Sequence, residues 1–165
     1  MKYYSLENIL KKHARYNMVF GERSNGKTYS VLDYAVKNYF KTGQQIAVLR
    51  RWREDFKGKR GAAYFDNLVY NGEQQNKIKE YSNGKYDHTV YLSGRWYMAY
   101  YDEELEKNIT APEPFAFSFA LTEMEHEKGN SYPLVTTILF DEFMSRGMYL
   151  PDEFVLFMNT LSTII

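Results

Sequence analysis

Cysteine is absent from the 165 residues. That excludes disulfides and cysteine-based zinc sites, and it fits the expectation of an intracellular protein. Histidine is scarce: His13, His88 and His126 are scattered without metal-ligand spacing and read as ordinary surface or core residues. Long apolar runs are missing too. Nothing approaches the roughly 18 residues of a membrane span, and the opening MKYYSLENILKK has no apolar core of a signal peptide. The expectation is a soluble, cytoplasmic protein with no membrane partner. An excess of either charge is also lacking, since 21 Lys plus Arg balance 21 Asp plus Glu. What remains, 44% hydrophobic and 25% charged residues, suits one globular domain able to bury a core. No internal repeat, linker or low-complexity tract interrupts it.

The zero net charge hides an uneven distribution. Residues 1–60 hold 14 Lys plus Arg against 5 Asp plus Glu, and residues 61–165 hold 7 against 16, so the two parts carry +9 and −9. Either they fold against each other and neutralise, or a basic side faces DNA or the acidic side of a neighbouring subunit.

The most informative stretch is GERSNGKTYS, residues 21–30. Gly21, Gly26, Lys27 and Thr28 fit the pattern G-x-x-x-x-G-K-[ST] of a loop that wraps nucleotide phosphates. Its required context is a strand before and a helix after. Residues 17–20, NMVF, are expected to form a short buried strand. Residues 27–42 contain no Gly or Pro, place Val31, Leu32, Ala35, Val36 and Tyr39 near a 3.6-residue period, and end at Gly43, a natural C-cap. In such a loop the backbone N–H groups of Glu22, Arg23, Ser24, Asn25, Gly26, Lys27 and Thr28, with the adjoining Tyr29, surround phosphate oxygens at the positive end of the helix. Lys27 adds a point charge at the β- and γ-phosphates, and the Thr28 hydroxyl ligates Mg²⁺. A Cβ at 21 or 26 would obstruct the turn or the phosphate. Arg23 either points in, toward charge on the γ-phosphate, or out into solvent.

Downstream, residues 45–52 read as a second buried strand running into Arg50, Arg51 and Arg53. EDFKGKRGAAYFDNLV reads as a broken helix with Lys57, Gly58, Lys59 and Arg60 in an exposed basic loop. Residues 77–101 alternate as strands do, with turns at Asn83-Gly84 and Ser93-Gly94, and are expected to form a small antiparallel insertion between the parallel strands. Strand packing there accounts for most of the 16 Tyr, ahead of base stacking. After Pro112 and Pro114, FAFSFAL reads as another strand.

LVTTILFDEF, residues 134–143, is a β-branched apolar strand rising to Asp141 and Glu142. On its own it reads as a strand ending in solvated acids. Coupled to the glycine-rich loop, it has the form of a strand that delivers Asp141 to the Mg²⁺ of a bound nucleotide, with Glu142 orienting and deprotonating the attacking water. A helix over residues 152–165 follows, opened by Pro151. The fold class is therefore α/β, a P-loop NTPase of the ASCE or RecA-like kind, with helices flanking a parallel core. The chemistry is ATP hydrolysis, because a small-molecule kinase does not need Glu142 and does need an acceptor site.

In GERSNGKT, VLRRW and EKGNSYPLVTTILFDEF the sequence resembles the DNA-packaging motor ATPases of small, protein-primed tailed phages, relatives of the large terminase subunits. The resemblance runs from residue 17 to residue 165. It implies an ATPase domain in a ring, most simply a pentamer, that docks on the portal of an empty procapsid in the host cytoplasm and drives double-stranded DNA inward; one branch of the family adds a structural RNA. It also implies Lys27 and Thr28 at phosphate and Mg²⁺, Asp141 at Mg²⁺, Glu142 as catalytic base and Arg23 as the loop arginine. In the family an arginine finger and then a nucleic-acid-binding domain follow further on, so a C-terminally truncated fragment is expected. Arg146 is the remaining downstream arginine, either acting on a neighbour's ATP or solvated. The rival readings are a helicase or helicase-loader ATPase and an ATP-dependent binding module, which has no use for Glu142.

Overall fold

The computed structural model describes residues 4–21, 26–70, 75–127 and 129–165. In chain order the elements are α1 (Glu7–Leu10), α2 (Lys27–Thr42), β1 (Gln45–Arg50), a 3₁₀ turn (Arg53–Phe56), α3 (Lys59–Ala62), α4 (Asp66–Val69), α5 (Lys77–Tyr81), β2 (His88–Leu92), β3 (Arg95–Asp102), β4 (Lys107–Thr110), β5 (Ala116–Ala120), a second 3₁₀ segment (Leu121–Glu127), β6 (Val135–Phe140) and α6 (Glu153–Ile164).

Among the described residues six strands form one mixed sheet in the order β2-β3-β5-β1-β6, with β4 also paired to β3. β1 is central and parallel to both β5 and β6. Its four middle residues are fully buried, as a strand covered on both faces must be. Because side chains alternate along a strand, Ile46 and Val48 face one layer and Ala47 and Leu49 the other. The first layer holds Leu32, Ala35 and Val36 of α2 with Leu68, Ile78 and Phe115. The second holds Phe117, Phe119, Leu121, Met124 and Ile164, joined by Phe157 of α6. Leu32 and Val36 are spaced by four on one helix face, and burying each is worth about 1.5–3 kcal/mol.

α2 spans the expected residues and stops where Gly43 adopts φ 74°, its N–H donating to the Tyr39 carbonyl at 2.8 Å. Between β1 and α5 the helix is broken into short turns, as expected, and Lys57, Lys59 and Arg60 are exposed. Gly61 lets this segment sit tight against β2, since a Cβ there would lie 2.3 Å from the Phe56 carbonyl oxygen and 2.5 Å from the Tyr91 ring. The Gly61 carbonyl accepts from Trp96 Nε1 at 2.7 Å, and Phe56, Tyr64, Phe65 and Tyr91 surround that indole.

Two expectations need correction. Residues 17–20 are not a strand: they have no ladder partner, and Met18 and Phe20 are 74% and 60% exposed. A short apolar run becomes a strand only beside a neighbour with a free edge, and none of the described strands pairs with it. Phe20 instead meets Phe143 edge-on at 5.5 Å. The alternation expected to begin at Lys77 begins at His88. Lys77–Tyr81 is a helical turn, capped by Asn76 Oδ1 accepting from the Lys79 amide at 3.0 Å. Asn83-Gly84 ends that turn, with the Gly84 amide donating to the Lys79 carbonyl, while Ser93-Gly94 is the hairpin turn between β2 and β3. The antiparallel meander expected between the parallel strands is present as β2, β3 and β4, in the chain between the parallel β1 and β5, and β3 joins it to the main sheet by pairing with β5 through Arg95–Phe117 and Trp96–Ala116.

Candidate nucleotide site

Three chain segments converge at the C-terminal ends of β1 and β6, the side of an open α/β sheet where ligands bind. α2 begins there, with Gly26 at φ 81° as its N-cap and the Ser30 amide donating to the Gly26 carbonyl at 2.8 Å. The opening N–H groups of a 16-residue helix lack partners within the helix and face the site at its positive end. β6 ends at Phe140, and the Asp141 amide donates to the Leu49 carbonyl at 3.1 Å, which extends the β1–β6 pairing to the acid itself.

Asp141 is held on every side. Oδ1 accepts from the Thr28 hydroxyl at 3.0 Å and from the Glu142 amide at 3.1 Å. Oδ2 accepts from Arg50 Nη2 at 3.0 Å and from the Tyr64 hydroxyl at 2.9 Å. Arg50 Nη1 also lies 3.0 Å from Glu142 Oε2, so one guanidinium spans both carboxylates. Glu142 takes φ 54°, and its side chain is 72% exposed. Burial alone would lower the Arg50 pKa, but the nearby Asp141, Tyr64 and Glu142 outweigh it and the guanidinium is held above its usual value. Burial, and then the Asp141 charge, raise the Tyr64 hydroxyl well above the usual tyrosine value, so it stays a donor.

Arg51, the next residue, points to the opposite layer. It is 6% exposed, ion-paired to Glu153 at the start of α6, and donates to the carbonyls of Glu142, at 2.8 Å, and Phe143. The Phe140 and Tyr149 rings lie against its guanidinium at 5.5 and 4.7 Å. Arg50 thus fixes the side chains of the acid pair and Arg51 the backbone that carries them.

Along its whole length, residues 1–165, the chain matches the family described as Podovirus DNA encapsidation protein (Gp16). It belongs to that family. Among curated relatives it is 27% identical over 151 residues to the DNA packaging protein of Bacillus phage B103, covering 90% of this chain and 39% of the relative. It is 26% identical over 165 residues to the DNA packaging protein of Bacillus phage phi29, covering 98% and 42%. The chain therefore spans less than half the length of these relatives. In fold it matches the N-terminal domain of the DNA packaging ATPase from bacteriophage phi29, with a TM-score of 0.74 and 24% identity, over 99% of this chain and 72% of that one. A chain of the bacteriophage phi-29 viral genome packaging motor assembly matches with a TM-score of 0.72 and 23% identity, over 99% and 43%.

In this encapsidation-family chain, Thr28, Asp141 and Glu142 meet at one place, and Lys27 stands at the same helix start with its Nζ donating to the Gly21 carbonyl at 3.0 Å. Tyr29 is half-buried against the first core layer. Glu22, Arg23, Ser24 and Asn25 lie outside the described residues. Arg146 is exposed in the loop after the acid pair, and no salt bridge among the described residues includes it. Arg50, Arg51, Tyr64 and Glu153 were not among the expected site residues. The readable signal for the first two was a pair of arginines ending a fully buried strand, where no charge is expected without a partner; Tyr64 and Glu153 carried none.

Among the described residues no three His, Cys, Asp or Glu side chains form a metal cluster. The residues present nevertheless fit Mg²⁺ on a nucleotide, because this ion takes one or two protein oxygens and fills its remaining positions from phosphates and water. Thr28 Oγ1 and Asp141 Oδ1, in contact at the start of α2, are such a pair.

Proposed function

We propose that this chain is the nucleotide-hydrolysing domain of a phage DNA-packaging motor, with a P-loop formed by residues 21–28 and MgATP as substrate. The observation that carries the reading is the 3.0 Å contact between Thr28 and Asp141, 113 residues apart, at the N-terminus of a long helix. Two residues read as Mg²⁺ neighbours from separate motifs are thereby adjacent in space. Lys27 and the first amides of α2 would bind the phosphates by charge and direct N–H donation. Thr28 and Asp141 would hold the ion, which when bound neutralises charge on the β- and γ-phosphates. Glu142, exposed beside them, would take a proton from the attacking water.

The family membership supports DNA packaging as the purpose of that hydrolysis. The proposed partners are double-stranded DNA, further copies of the chain in a ring, the procapsid portal and, in one form of the motor, a structural RNA; the setting is the host cytoplasm. Among the described residues no helix is long and apolar enough to cross a membrane. Calorimetric titration with MgATP, combined with phosphate-release assays with and without linear duplex DNA, tests both halves. MgATP binding that Asp141→Asn weakens at least tenfold is expected. Absence of binding would reject the nucleotide site, and turnover indifferent to duplex DNA in a chain extended to the full length of its relatives would reject the packaging role.

A further inference from the structure

The two oxygens of Asp141 are held differently. Oδ1 accepts from the Thr28 hydroxyl at 3.0 Å and from the Glu142 amide at 3.1 Å. The Thr28 hydroxyl turns about one bond and can itself ligate a hard cation, so a cation arriving beside it gains a place on Oδ1. Oδ2 accepts from the Tyr64 hydroxyl at 2.9 Å and from Arg50 Nη2 at 3.0 Å, which fills both of its lone-pair positions. Tyr64 has no comparable freedom. Its ring lies among Phe56, Phe65 and Trp96, with centroids 6.5, 5.5 and 5.5 Å away. The backbone behind the ring is fastened as well: the Gly61 carbonyl accepts from the Tyr64 amide at 3.3 Å and from Trp96 Nε1 at 2.7 Å. The phenol is thus a fixed donor to one oxygen of one carboxylate.

We propose that Tyr64 is a positioning residue that selects the divalent cation at the nucleotide site, by keeping Asp141 Oδ2 occupied so that a cation is offered Oδ1 alone. The proposal rests on the nucleotide-site reading above. Ca²⁺ gathers roughly six to eight oxygens and readily takes both oxygens of one carboxylate. Mg²⁺ is smaller and holds to an octahedron, which the narrow bite of a two-oxygen carboxylate does not fit. A carboxylate with one oxygen capped therefore serves Mg²⁺ in full and Ca²⁺ only in part. Phosphate oxygens are hard ligands for both ions, so the discrimination has to come from the protein side. A phenol suits the task because it is neutral: it occupies the oxygen without adding a charge that would repel either cation.

The test is titration calorimetry of ATP binding in excess Mg²⁺ and, separately, in excess Ca²⁺, for the unmodified chain and for Tyr64→Phe, which keeps the ring and loses only the hydroxyl. Circular dichroism melts check folding. The unmodified chain should bind MgATP at least about tenfold more tightly than CaATP, a comparison that needs no variant. In Tyr64→Phe that preference should shrink about fivefold or more, through tighter CaATP binding, with MgATP binding kept within about twofold. Adding Asp141→Asn should remove the gain, because the freed oxygen belongs to Asp141. A residue that merely props the fold would weaken both complexes alike and leave the ratio unchanged. An unmodified chain that binds the two complexes equally, or a Tyr64→Phe ratio equal to the unmodified one, overturns the selection by Tyr64 and leaves the nucleotide site standing. Binding of neither complex by any form overturns the nucleotide reading, and the proposal with it.

Discussion

Replacing Arg51 by Met keeps an unbranched side chain of similar reach and removes the charge. The variant strands the Glu153 carboxylate, which is 17% exposed, and takes donors from the carbonyls of Glu142 and Phe143. Breaking a buried pair by removing one partner costs about 3–5 kcal/mol. Partial access of water to Glu153 places this case at the lower end, about 3 kcal/mol. For a domain of this size each kcal/mol shifts the midpoint of thermal unfolding by about 2–4 °C, so a drop of about 6–12 °C is expected. Circular dichroism melts at neutral pH and moderate salt measure it directly. The double variant Arg51→Met, Glu153→Gln removes the stranded charge and should recover at least half of the loss, since most of the cost is the unpaired carboxylate. A midpoint within about 2 °C of the unmodified chain, or a double variant no better than the single one, would refute the account of Arg51 as a buried clamp.

Glu142→Gln should leave MgATP binding within about twofold and reduce phosphate release by about 10²–10⁴, the usual contribution of a general base, as checked by titration beside single-turnover hydrolysis. Replacing Lys57, Lys59 and Arg60 together by Ala should lower duplex-stimulated turnover without changing MgATP affinity, because these side chains are exposed and lie outside the acid site. Tyr132 is pushed up to about 12 by burial and by its hydrogen bond to Glu127. A folded-state value above the unfolded one stabilises fully below about pH 10 and is lost as pH rises from there toward 12. Urea midpoints between pH 9 and 11.5 should therefore fall, and fall less steeply in Tyr132→Phe.

Local chemistry made part of this molecule readable. α2 follows from an uninterrupted 3.6-residue pattern bounded by two glycines, and β1, β5 and β6 from short apolar runs, because these signals sit in consecutive residues. Residues 17–20 carry a run of the same kind and stay outside the sheet, since strand formation is decided by a neighbour and not by the run. Five helical residues at Lys77–Tyr81 were hidden by their β-like alternation, and the decisive feature was a single cap, Asn76. In the candidate site, the meeting of Thr28 with Asp141 and Glu142 was legible because each stands in a short stretch whose pattern sits in consecutive residues. Arg50, Tyr64 and Glu153 were not, because their roles depend on contacts 77 to 102 residues apart that only the sheet register creates.

Arg50 and Arg51 are chemically alike but serve opposite layers, and only the two-residue repeat of β1 tells them apart. A single residue inserted or deleted between Gln45 and Arg50 would exchange them, sending the arginine that clamps the backbone to the acid side chains and the one that bridges the acids to the start of α6. A change of two residues would keep the assignment and merely shift its height. The length of this strand is therefore constrained in parity, a restriction that no single substitution in it would reveal.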